Sequence, residues 1–157
     1  MPIDTPSPVL VMLFIALAAA GPARAQSDDR MTIVIGKGPH AGTYKLDPGN
    51  MTCLHAKERK QFSAAYSDGD ARDAKVIKEV GINVFKGDIP AEKNADVSVT
   101  FGDGKTRTEY AISIPSKSRQ TVSMTRKGGT VELAFHGVTK AGIPLQMTAF
   151  CGNVFEF

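Results

Sequence analysis

Apolar residues recur at every second position through the later part of this chain, and that period commits a backbone to extended strands. Val97, Val99 and Phe101 alternate with polar neighbours, as do Tyr110, Ile112 and Ile114. Val131, Leu133 and Phe135 repeat the pattern, and Ile143, Leu145, Met147, Ala149 and Cys151 extend it. A two-residue period places alternate side chains on one face of a strand, so each run has one apolar face to bury. The segments between them carry turn chemistry: Gly102-Asp103-Gly104-Lys105, Lys127-Gly128-Gly129 and Lys140-Ala141-Gly142. From Asp96 onward this reads as a meander of antiparallel strands.

The earlier part supplies the layer against which those faces would pack. Met31–Ile35 is a β-rich run ending at Gly36-Lys37-Gly38-Pro39, and Thr43–Leu46 stops at Asp47-Pro48-Gly49-Asn50. Met51–His55 and Gln61–Tyr66 alternate in turn. Residues 70–80 are open to two readings. Asp70 could cap a helix through Ala71–Val80 with Gly81 past its end. Against that, Val80, Ile82 and Val84 alternate, which favours a strand from about Val76 to Phe85. Gly87–Asn94 and Pro115–Arg119 read as loops. The expected fold class is all-β, an antiparallel β-sandwich or flattened barrel of roughly seven to nine strands.

The first 25 residues are of a different kind. Val9–Ala20 is an unbroken apolar run of 12 residues, followed by Gly21-Pro22 and by Ala23-Arg24-Ala25. That run is well short of the ~20 residues a membrane-crossing helix needs. A short apolar core ending in a small-x-small site is the pattern of a cleaved secretory signal, although no Lys or Arg precedes it. The expectation is a signal peptide over 1–25, cleavage after Ala25, and a single exported domain over 26–157, periplasmic or secreted. With no cysteine at the cleavage point and no later long apolar segment, no stable membrane anchor is expected.

Export gives meaning to the two cysteines, Cys53 and Cys151. In an oxidising compartment an even count without metal-type spacing reads as one disulfide, here joining an early strand to the last one. Chain entropy assigns such a long loop on the order of 4 to 5 kcal/mol, an upper bound because native strain subtracts from it.

Each chemical motif meets a plainer alternative. Met51, Cys53 and His55 share one face of a strand, and with His40 and His136 they form a soft-ligand set suited to copper. A cysteine committed to a disulfide has no thiolate to offer, so the disulfide reading prevails. Asp68, Asp70 and Asp73 lack the spacing and closing Glu of a twelve-residue calcium loop. Gly36-Lys37-Gly38 and Gly102–Lys105 open no helix, as a phosphate cradle would require, and read as turns. No nucleophile elbow or zinc-hydrolase motif occurs, and the three histidines suit an ordinary surface. Nineteen basic and 16 acidic residues are scattered, with no Trp and three Tyr, which argues against a nucleic-acid partner. Phe155 and Phe157 alternate as in outer-membrane barrel strands, but the charged strand residues Lys78, Arg107, Glu109 and Glu132 favour a domain with a short apolar tail.

The early strand Met51-Thr52-Cys53 and the closing hairpin Gly129–Leu133 to Gln146–Cys151 resemble small secreted or lipid-anchored β proteins of bacteria, of the mycobacterial lipoprotein-antigen type. The resemblance implies an envelope protein without a known catalytic site. It departs from that type in having no cysteine after the leader. The function expected is a non-enzymatic exported β domain, without a cofactor, presenting a sheet surface or edge to a protein partner. The alternatives are a small-ligand or copper carrier of the envelope and a small outer-membrane β-barrel.

Overall fold

The computed structural model describes residues 28–85, 95–113 and 120–157. Within them lie eleven strands: Arg30–Ile35 (β1), Gly42–Leu46 (β2), Met51–Ala56 (β3), Gln61–Ser67 (β4), Ile77–Phe85 (β5), Ala95–Phe101 (β6), Thr108–Ile112 (β7), Thr121–Lys127 (β8), Thr130–Val138 (β9), Pro144–Cys151 (β10) and Phe155–Glu156 (β11). The expected leader over 1–25, the Pro90 loop and the loop at 115–119 lie outside the described residues.

Two sheets form, one in the order β2-β1-β10-β9-β8 and the other in the order β11-β3-β4-β5-β6-β7. Neither closes on itself, so the sandwich rather than the flattened barrel is realised. Every neighbouring pair is antiparallel except β11 with β3. Two details differ from the expectation. The strands after Asp96 are not one meander: β6 and β7 complete the second sheet, while β8, β9 and β10 belong to the first, where β10 pairs with β1. Alternation specifies a face for each strand but not a neighbour, and the partner is chosen by burial across the whole chain. The count exceeds nine partly because Phe155–Glu156, expected as a tail, pairs with Leu54 and His55 of β3.

The alternating residues meet between the sheets. Ile33, Leu145 and Phe135 from one side and Ile82, Val99 and Phe101 from the other are fully buried in a single cluster. Polar side chains take the outward faces, the reverse of what a lipid-facing barrel presents. Segment 70–80 resolves as strand from Ile77. A β-bulge at Ile77/Glu79 shifts the register, so Ile77 and Val80 are both buried although three positions apart.

Cys53 of β3 and Cys151 of β10 are bonded across the interface, 98 positions apart in sequence, with Cα atoms 6.1 Å apart. Both are fully buried. The bond joins the first sheet to the second through their interiors. Both partners sit on inward-facing positions of alternating strands, and the packing of one sheet on the other brings them together.

Candidate functional site

The outward face of the five-stranded sheet carries a trough. Its geometry follows from register. Thr32, Thr148, Ala134 and Ser123 are successive partners across β1, β10, β9 and β8, and so are Arg30, Phe150, Glu132 and Thr125. Each set forms a row of same-face side chains running across the strands, ~14 Å long at the usual inter-strand spacing. The first row is small and makes the floor. The second is tall and makes a wall. Together they bound an open hollow of about 330 Å³.

The lining is rich in side chains that can hydrogen-bond. It offers the hydroxyls of Thr32, Thr148, Ser123 and Thr125, each a donor and an acceptor. The Arg30 guanidinium sits 4.4 Å from the centre of the Phe150 ring, a cation–π contact that fixes the wall. Glu132 stands on the other side of Phe150 in the same row, so a cation and an anion flank one aromatic ring. The residues lining the hollow include no histidine or cysteine.

The candidates for metal ligation occupy three different places. Met51, Cys53 and His55 share the inner face of β3 as the spacing requires, but the Cys53 sulfur is committed to Cys151. Arg126 donates to His55 Nδ1 at 3.1 Å. His136 is exposed on the outward face of β9, opposite Gln146 and Thr121. Among the described residues no group of three or more His, Cys, Asp or Glu side chains comes together.

His40 is not the surface histidine its place beside a turn suggests. It is buried, stacked on Phe101 with ring centres 4.0 Å apart. Its Nε2 donates to the Ala74 carbonyl at 2.8 Å, so in the neutral ring Nδ1 accepts from the Tyr110 hydroxyl at 2.8 Å. Tyr44 donates to the His40 carbonyl at 2.9 Å. Both ring nitrogens are occupied, and the histidine clamps the β1–β2 loop onto β6, β7 and the loop at Ala74. Burial raises the Tyr110 hydroxyl above its ordinary pKa. Nothing local in the sequence marks this group, because its members lie in four separated segments.

A second charged group lies where β8 meets β11. The Glu156 carboxylate takes Lys57 at 2.6 Å and also Arg126, with His55 at 3.3 Å. The same His55 ring nitrogen faces both Arg126 and Glu156. Lys57 first and Arg126 second pull the Glu156 carboxyl from its ordinary 4.5 down to about 2. The acidic loop residues serve their own turns: Asp68 accepts from the Asp70 amide at 3.0 Å and Asp73 from the Lys75 amide at 2.7 Å.

No protein-family profile matches this chain, and neither a curated protein nor a solved structure matches it.

Proposed function

We propose that this chain is an exported, non-catalytic binding domain that receives a protruding segment of a protein partner in the trough on its five-stranded sheet. The observation that carries this reading is the trough itself, a hollow of about 330 Å³ floored by small side chains. Strand backbone in the sheet interior is already paired, so recognition there runs through side chains. Hydroxyls along the floor suit the amides and polar side chains of a polypeptide. Arg30 and Glu132, on either side of Phe150, suit a segment bearing both signs of charge. A buried disulfide between distant strands is consistent with an oxidising compartment.

The test fills the trough. Ala134→Trp places an indole on the floor, and Ala111→Trp places one on the exposed face of β7 in the other sheet. The protein and both variants are used to capture partners from the envelope and the culture medium. A partner retained by the parent and by Ala111→Trp but lost with Ala134→Trp supports the reading. Capture indifferent to Ala134→Trp, or recovery of a glycan or small molecule in place of a protein, would replace it.

A further inference from the structure

We propose that the end of the sandwich formed by β11, the β3–β4 turn and the β8–β9 turn docks peripherally on a bilayer carrying anionic lipid. This goes beyond the trough and does not depend on it. Strand alternation sets Glu156 on the side of β11 that meets Lys57 and Arg126, and leaves Phe155 and Phe157 on the other, 65% and 72% exposed. They are the exposed aromatic rings among the described large hydrophobics, the others being Val76 and Val138. The rings are held in place. The Phe157 amide donates to the His55 carbonyl at 3.2 Å, and the Lys57 amide donates to the Phe157 carbonyl at 3.0 Å.

The same carboxylate that anchors β11 gathers cations around it. Lys57 opens the β3–β4 turn and Arg126 immediately precedes Lys127 at the β8–β9 turn, so both turns converge on Glu156. Arg59, Lys60 and Lys127 are exposed on those turns. Glu58 is the opposing charge among these exposed turn residues, since Glu156 is spent on Lys57 and Arg126. Two outward phenyl rings beside a collar of long cationic side chains match an anionic bilayer surface. The rings enter the headgroup boundary and the lysine and arginine heads meet phosphates. A second copy fits poorly, because joining two such ends would place both collars against each other.

The experiment is sedimentation with phosphatidylcholine vesicles and with vesicles of equimolar phosphatidylcholine and phosphatidylglycerol. The protein is purified after expression of the full chain, with its N-terminus read by mass spectrometry. Parent and variants are compared in the same processed form, so any contribution of residues 1–27 is common to all. The expected result is binding to the anionic vesicles that weakens as salt rises. It should fall by about tenfold in Phe155→Ser/Phe157→Ser and again in Arg59→Glu/Lys127→Glu, whose side chains are exposed on turns. Thermal unfolding of each variant checks that it is folded, and the charge-reversal pair keeps the test open if the phenylalanine pair is not. Equal binding to neutral vesicles, no binding, or indifference to both variants overturns the proposal. So does a phenylalanine-dependent dimer seen by light scattering without vesicle binding.

Discussion

His40 and Tyr110 are 70 positions apart in the chain, and their side chains meet at 2.8 Å in the interior between β2 and β7. The contact closes one corner of the sandwich, where β2 has β1 as its neighbour on one side only. Tyr110→Phe keeps the ring that lies edge-on to Phe101 at 5.9 Å and removes the hydroxyl. His40 Nδ1 is then buried without a donor. The expected loss is roughly 1–3 kcal/mol in urea unfolding. Stability equal to the parent would mean that the hydroxyl contributes nothing to holding the loop.

Cys53→Ser/Cys151→Ser should lower stability by roughly 4 kcal/mol, because the crosslink closes a loop of nearly one hundred residues. Both sulfurs are fully buried, so reductant should attack slowly until the domain opens. Thiol titration with and without denaturant, followed by denaturation curves of the double variant, checks both statements.

Glu156 gives the domain a stability that depends on acid. Its carboxyl is depressed from 4.5 to about 2 by Lys57 and Arg126 in the folded chain. A depressed carboxylate stabilises the fold above the unfolded value, and the contribution disappears as pH falls from about 4.5 toward 2. Parent and Glu156→Gln melting temperatures should therefore differ most above pH 5 or so and converge toward the lower limit, with salt narrowing the gap. A gap of constant size across that window would rule out ionisation as its source.

Gly102 sits at φ +62, and a Cβ there would lie 2.7 Å from Thr106 Oγ1, 2.9 Å from the Thr106 carbonyl and 3.1 Å from Ala74 Cα. Two of those three neighbours are backbone atoms and cannot swing aside. Gly102→Ala should cost about 1–3 kcal/mol. The strain would fall beside Ala74, whose carbonyl receives the His40 ring, so Gly102→Ala and Tyr110→Phe should be non-additive in a double-variant unfolding cycle.

What was legible in the residues is uneven. Runs such as Val131-Leu133-Phe135 announced their faces because outward and inward positions simply alternate, and all three are buried. Residues 70–80 were ambiguous for a definite reason. Asp70 and Gly81 could bracket a helix while Val80, Ile82 and Val84 alternate, and in the fold a bulge at Ile77/Glu79 lets Ile77 and Val80 both face inward from a strand. The trough was not readable at all. Thr32, Ser123, Ala134 and Thr148 come from four strands, and their alignment exists only once β1 has paired with β10 and β8 with β9.

The sequence by itself determined that the chain is all β, which residues of the regularly alternating strands face inward, and that two cysteines were available to bond across the interior. These are consequences of a two-residue backbone period and of local turn chemistry. Only the tertiary structure decided that β8–β10 sit beside β1 rather than beside β7, that His40 is buried, and that Glu156 draws two turns together around Phe155 and Phe157. Pairing partners and charge clusters depend on segments far apart in the chain. They are selected by which arrangement buries every apolar face at once, a condition that no local stretch of residues contains.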